Sequence, residues 1–296
     1  MQHRLAVVML LVGVGMLAAP GMFAAPGVVA ASSGEPGSGE RAVSGYNQVL
    51  EQFVDDAGLV DYTWLKNQRA GLDRYAAYLA RLDRRTYAGY NDREKIALWL
   101  NAYNAFTLVA IIDHYPIKPS VVKSLMYPKE SIRHIPGVWK KLEFMIIGEP
   151  VTLDHIEHGI LRKDFSEPRI HMALVCASIG CPPLHAVAFA GEALDGQLSA
   201  QTRRFLSIER NFRIDRERGV VHLSSIFDWF ADDFEGFGKA VTFGYNHDRK
   251  HRAALQFVMN YVGEQDRLYI MKERYDVTYL PYDWALNVQS GTQEGP

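Results

Sequence analysis

The stretch Asn91-Asp-Arg-Glu-Lys-Ile-Ala-Leu-Trp-Leu-Asn-Ala-Tyr-Asn-Ala-Phe-Thr-Leu-Val-Ala-Ile-Ile112 decides how the rest of the chain is read. Asn91 is a good N-cap, and Glu94 stands three residues later, as in a capping box. From Ile96 onward apolar residues occupy nearly every face, until Tyr115-Pro116 ends the run. A helix that is apolar all round belongs in a core. Two amides interrupt it: Asn101 and Asn104 lie one turn apart and face nearly the same way. Buried amides need hydrogen-bond partners. They can hold a catalytic histidine or line an oxyanion site, or they can tie down an irregular loop. Trp99 and Tyr103 beside them are candidate binding residues.

On the N-terminal side, helical spacing runs over Tyr46 to Asp56 and again over Trp64 to Leu82, with Gly58 between them. On the C-terminal side, Pro116 to Val138 is irregular, and Leu142 to Leu153 reads as a hairpin turning at Gly148-Glu149. Thr152 caps a predicted helix to about Lys163. Arg169 to Val175 is a short predicted strand that leads into a cysteine loop ending at His185. A helix over Gly191 to Ile208, a hairpin over Phe212 to Leu223, helices over 226–234 and 252–262, and an extended aromatic tail over 279–287 complete the chain. The class is α+β: one helix-rich domain, residues 46–290, with short antiparallel strands and hairpins.

The extreme N-terminus sets the expected compartment. His3 and Arg4 precede an apolar run from Leu5 to Leu17, and small-residue cleavage sites follow. Residues 1–31 are therefore expected to be a signal peptide, and residues 32–45, rich in Ser and Gly, a flexible linker. The processed protein is expected in the periplasm or secreted, with no membrane span once the signal is removed. Processing removes only the charge of Arg4, taking the net charge from −2 to −3. With no basic stripe and no polybasic face, neither nucleic acid nor anionic lipid is an expected partner. Without a Gly-rich phosphate loop, no cofactor is expected either. A small molecule or peptide is the expected ligand.

The chemistry-bearing residues cluster between 153 and 185. Glu157 falls within the apolar face of its helix, among Leu153, Ile156, Ile160 and Leu161. It is there either as a core staple paired with Arg162 or Arg169, or as a carboxyl in a pocket. His158 sits at the edge of that face. Cys176 and Cys181 are the only cysteines, set in a turn of small residues whose N–H groups could face a developing negative charge. A histidine could activate Cys176 by taking its proton, and His171, His158, His185 and His222 are the candidates. The same two cysteines could instead form a disulfide. Zinc is the third reading: His155 and His158 are i, i+3, and the cysteines could add sulfur. However, His155 points away from the apolar face and Cys-x4-Cys is a loose ligand spacing, so no metal ligand is assigned.

The chain resembles the family known as Domain of Unknown Function 547. The resemblance rests on Gly58-Leu-Val-Asp61-Tyr62, Ala97-Leu-Trp99-Leu-Asn101-Ala-Tyr103-Asn104, Asp154-His-Ile-Glu157-His158, His171-Met-Ala-Leu-Val-Cys176 with Gly180-Cys181-Pro-Pro183, Val221-His222-Leu-Ser-Ser-Ile-Phe227-Asp-Trp229-Phe230, and Leu280-Pro-Tyr282-Asp-Trp284-Ala-Leu-Asn287. It implies a domain without an activity, and it makes Asn101, Asn104, Glu157, His158, His171, Cys176 and Cys181 pattern positions. One departure is Val175, where the family pattern has Asn.

Two functions follow. In the first, the protein is a thiol-dependent hydrolase or acyl transferase on a peptide, cell-wall or small amide or thioester substrate. Cys176 is then the nucleophile, His171 or His158 the base, Glu157 the orienting carboxylate, and Asn101 and Asn104 the support. Trp99, Tyr103, Cys181, His222 and Trp229 are the binding residues. In the second, it is a binding domain clipped by a Cys176–Cys181 disulfide. A zinc-dependent hydrolase is the remaining alternative.

Overall fold

The computed structural model describes residues 37–237 and 247–290; the expected signal peptide lies outside them. Helix α1 (Ser38–Phe53) begins inside the expected linker, because Tyr46, Val49, Leu50 and Phe53 give it an apolar stripe to bury. The predicted helix over 64–82 is two helices, α2 (Tyr62–Asn67) and α3 (Ala70–Arg81). Asp61 caps α2 by accepting from the Trp64 N–H at 2.9 Å. The break lets α3 close on α1, with Tyr46 and Tyr75 stacked at 4.3 Å. At this crossing a Cβ on Gly71 would meet Val49 Cγ2 at 2.6 Å.

After the short α4 (Arg84–Ala88) comes α5 (Asp92–His114), the central helix. Its capping box is formed as expected: Asn91 Oδ1 accepts from the Glu94 N–H at 3.1 Å, and Glu94 Oε2 accepts from the Asn91 N–H at 2.8 Å. α5 is long and apolar enough to cross a membrane, but its apolar window is 89% buried by protein. It is a core helix. Around it pack α1, α3, the hairpin β1 (Phe144–Ile146) and β2 (Glu149–Val151), and the cysteine loop.

The segment after β2 departs from a regular helix. His155–Leu161 is π-helical and runs into a three-residue α6 (Arg162–Asp164). The predicted strand over 169–175 is absent. Pro168–Met172 is instead a 3₁₀ turn, opened by Glu167, whose side chain accepts from the Arg169 N–H at 3.1 Å. Local turn bonds, such as Ile170 N–H to Glu167 O at 3.1 Å and Ala173 N–H to Ile170 O at 2.9 Å, replace a strand ladder here, and side chains complete them.

α7 (Leu194–Leu206) leads to a second, smaller core. There β3 (Phe212–Asp215) and β4 (Val220–Ser224) pair antiparallel. β4 also pairs with β5 (Asp276–Leu280), and that pairing is parallel, which the expectation of hairpins alone had missed. α8 (Ile226–Trp229), a 3₁₀ turn at Ala231–Phe234, α9 (Arg249–Val258) and α10 (Glu264–Ile270) cover this sheet, with Phe205, Phe227, Phe234 and Phe257 at its centre. The fold is thus helix-rich α+β. Tyr282 packs against both cores.

Candidate functional site

A cavity of about 400 Å³ opens where the two cores meet. Tyr103 and Leu174 contribute from the first core, and Ile226 and Phe230 from the second. Glu157, His158, His171, Cys176, Cys181 and Trp229 also line it. These six and Tyr103 are the sequence candidates that the fold brings to one cavity.

The π-helical turn supplies the acidic wall. The wider turn carries one more residue per hydrogen-bonded ring than an α-helix, and such turns recur at functional sites. Glu157 forms no ion pair with Arg162 or Arg169. It accepts a hydrogen bond from the Tyr103 hydroxyl at 3.3 Å. Burial raises its pKa to about 7, and the nearby Arg162 charge offsets this only in part. The two arginines expected to staple it are engaged elsewhere. Arg169 pairs with Glu167 and Asp195. Arg162 forms a fork on Asp233, Nε to Oδ2 at 2.5 Å and Nη2 to Oδ1 at 2.9 Å, and reaches His158 Nδ1 at 2.8 Å.

Asp233 is the residue that sequence reasoning missed. It lies 62 positions from His171, next to a second aspartate, with nothing local to single it out. His171 donates from Nε2 to Asp233 Oδ2 at 2.7 Å and stacks on Phe230 at 4.0 Å. Burial lowers the His171 pKa more than the Asp233 charge raises it, which keeps the ring neutral. Burial alone would raise the Asp233 carboxyl, but hydrogen bonds from His171 and Arg162 outweigh it and hold the group well below the usual carboxylate range. The Nε2 of His171 is therefore engaged by Asp233, while the polar neighbours of Cys176 Sγ are the Tyr282 hydroxyl at 3.2 Å and Ser178 Oγ at 3.7 Å. His158 is half exposed at the rim, with its pKa lowered by burial and by Arg162.

The cysteines are joined: Cys176 and Cys181 form a disulfide with their Cα atoms 6.2 Å apart. Neither is a free thiol, so the nucleophile reading requires reduction first. The disulfide, the expectation of the binding-domain reading, forms one wall of the cavity. The Tyr282 hydroxyl donates to Cys181 Sγ at 3.0 Å and lies 3.2 Å from Cys176 Sγ. Tyr282 reaches the sulfurs because the tail from 281 to 287 runs along the cysteine loop. The Gly180 N–H donates to Asp283 O and the Ile179 N–H to Ala285 O, both at 2.8 Å. A Cβ on Gly180 would meet Asp283 N at 2.9 Å, so glycine is what permits this approach.

Several of the loop's N–H groups are thus engaged within the protein. Besides those two, the Cys176 N–H donates to Cys181 Sγ at 2.9 Å, the Cys181 N–H to Ser178 O at 3.0 Å, and the Val175 N–H to Asn104 Oδ1 at 2.9 Å.

The remaining sequence candidates lie outside the cavity. Asn104 also donates to Ala173 O at 3.0 Å, and Asn101 clamps Phe189 through both its N–H and its C=O at 2.8 Å. Both amides tie down loops. Trp99 is buried and donates to the Tyr87 hydroxyl at 3.0 Å. His222 sits on β4 opposite Arg213, and the His185 ring bonds to Val187. His155 is exposed on the far side of its turn, remote from sulfurs that are bonded to each other. Among the described residues no group of three His, Cys, Asp or Glu side chains is placed to hold a metal.

Aromatic rings close the cavity. Trp229 packs on Tyr282 at 4.8 Å and on Trp284 at 6.0 Å, and Trp139 meets Trp284 edge-on at 6.4 Å. The Arg133 guanidinium lies over both Trp139 and Trp284. The signal for Trp284 was its aromatic neighbourhood in the tail; Arg133 lay in the segment readable only as irregular, and Trp139 just past its end.

No curated protein and no solved structure matches this chain. Residues 87–206, which carry α5, the π-helical turn and the cysteine loop, match the family described as "Protein of unknown function, DUF547".

Proposed function

We propose that this cavity is the active site of an exported hydrolase acting on a small amide, thioester, peptide or cell-wall substrate, with Glu157 as the group that moves the proton. The observation that carries this reading is the state of Glu157. It is a buried carboxyl on the cavity wall, without an ion pair of its own, held by Tyr103 and poised near pH 7. A group with that pKa populates both protonation states at neutral pH, which is what general acid–base catalysis requires. As water attacks the substrate carbonyl, ionised Glu157 takes its proton. It then returns that proton to the departing nitrogen or sulfur as the acyl bond breaks. The Asp233–Arg162 pair fixes His171, which lines the same cavity, and the aromatic rings hold the substrate. Cys176 acts as a nucleophile in this scheme only if the Cys176–Cys181 bond is first reduced. That disulfide supports an oxidising, extracytoplasmic location.

A panel of amide, ester and thioester substrates tests the reading. Turnover is expected to rise through about pH 7 and to be lost in Glu157→Gln, with the fold retained. A second reading, a binding domain without turnover, is favoured by the closed disulfide beside the aromatic walls. Ligand binding in this cavity without turnover of any panel member would establish the second reading against the first, and hydrolysis unaffected by Glu157→Gln would remove Glu157 from the proton transfer.

A further inference from the structure

The segment from Pro119 to Lys129 has no part in the chemistry above, yet it carries the densest exposed apolar surface among the described residues. Val121, Val122, Leu125 and Met126 are 87%, 71%, 88% and 69% exposed. They stand on one short turn, closed by a 3₁₀ helix at Lys123–Leu125. A soluble protein scatters single apolar residues over its surface, but four together mark an interaction site.

The segment is held in shape from beneath. Buried His134 accepts the Ser120 N–H at its Nδ1 at 3.0 Å, and its Nε2 donates to Pro128 O at 2.8 Å, so one ring ties both ends of the loop. Lys123 Nζ donates to Arg133 O at 2.6 Å. The apolar side chains therefore project from a fixed base.

Charge identifies the occupant. Between Tyr115 and Lys129 there is no Asp or Glu, and the exposed Lys118 and Lys129 flank the apolar tip in sequence. Apolar side chains flanked by lysines match the boundary of an anionic bilayer, where the former enter the acyl region and the latter meet phosphate. A folded protein partner calls instead for a patch of roughly 800 Å² per side, which four side chains on one turn do not supply.

We propose that this loop docks the protein on an anionic phospholipid surface, inserting Val121, Val122, Leu125 and Met126. The cavity comes with it. Tyr127, at the loop's end, meets Trp284 on the cavity wall edge-on at 6.0 Å, and its hydroxyl accepts from Arg133 Nη2 at 2.7 Å. Docking does not depend on the hydrolase reading, but it sets the cavity rim beside the lipid headgroups.

The test uses the full chain with Leu125→Cys, carrying an environment-sensitive dye, the native cysteines being bonded to each other. Vesicles are either an equimolar mixture of phosphatidylglycerol and phosphatidylcholine, or phosphatidylcholine alone. The dye emission is expected to shift to the blue with the anionic vesicles and much less with the neutral ones. Adding Val122→Glu should weaken partitioning roughly tenfold or more, and about 0.5 M salt should weaken it several-fold. Because Val122 is exposed, that variant should melt like the parent. Dye emission unchanged by vesicles overturns the proposal, even if another segment carries the chain to them. So does a dimer abolished by Val122→Glu without any lipid response, which would give the patch to a second copy of the chain.

Discussion

Two sets of buried polar groups lie about one helix apart in this molecule, and they end in opposite states. On α5, Asn101 and Asn104 face irregular backbone, and each both donates to and accepts from it. On the π-helical turn, Glu157 has the Tyr103 hydroxyl as its hydrogen-bond partner, and its charged form is disfavoured. A polar residue inside an apolar segment is thus not in itself a sign of chemistry. The useful question is whether its bonding capacity is exhausted. Each amide is bonded through both its NH₂ and its C=O and acts as a structural clamp, whereas the carboxyl keeps proton affinity in the range where catalysis works.

The contrast can be broken most forcefully at Asn104. Asn104→Ala leaves Ala173 O and the Val175 N–H buried without partners, and should cost roughly 2–4 kcal/mol. Denaturant melts should find that loss nearly constant from pH 5 to pH 8, since no titrating group is removed. A loss under 1 kcal/mol would show that the cysteine loop holds its own shape.

The disulfide offers a test of similar kind. Cys176→Ser and Cys181→Ser should each cost roughly 2–3 kcal/mol by releasing the same short loop. Clearly unequal costs would mean that the Tyr282 and Cys176 N–H bonds to Cys181 Sγ matter beyond the closure itself.

Glu157 should behave in the opposite sense, stabilising the fold when replaced. Its folded pKa, about 7, lies above the ordinary value of 4.5. The folded state therefore binds this proton more tightly than the unfolded chain does. The resulting stability is complete below about pH 4.5 and is lost as pH rises through 7. Glu157→Gln escapes that loss, so thermal melts should find it level with the parent near pH 4 and more stable at pH 8, by about 3 kcal/mol. Equal stability at both pH values would return Glu157 to the status of an ordinary, satisfied carboxylate. The smallest effect belongs to His222→Ala, where a change under about 0.5 kcal/mol and unaltered turnover are expected, as for a partly exposed residue away from the site. A marked loss of turnover would extend the site to β4.

Much of this was legible in local sequence. The Asn91–Glu94 capping box and the all-round apolar run specify α5, and both hairpins follow from strand-length segments separated by turn residues. The cysteine spacing admitted the disulfide, and the position of Glu157 within an apolar stripe marked it as either paired or poised. The strand expected over 169–175 failed because a 3₁₀ turn bonds that backbone locally and Glu167 and Asn104 complete it with side chains, an option that apolar alternation does not register. The single helix expected over 64–82 failed because packing α3 on α1 at Gly71 outweighs the continuity of its spacing.

The amino-acid sequence by itself therefore determined the helix-rich class, the central helix and the short list of polar residues set among apolar ones, because capping and periodicity act over a few residues. Which of those residues share a wall was decided only by tertiary structure. Asp233 reaches His171 and Arg162 from another core, Tyr282 reaches the sulfurs along a tail more than a hundred residues away, and Glu157 is left without an ion pair because both nearby arginines are taken. Burial and charge pairing are properties of neighbours in space, and no local spacing encodes them.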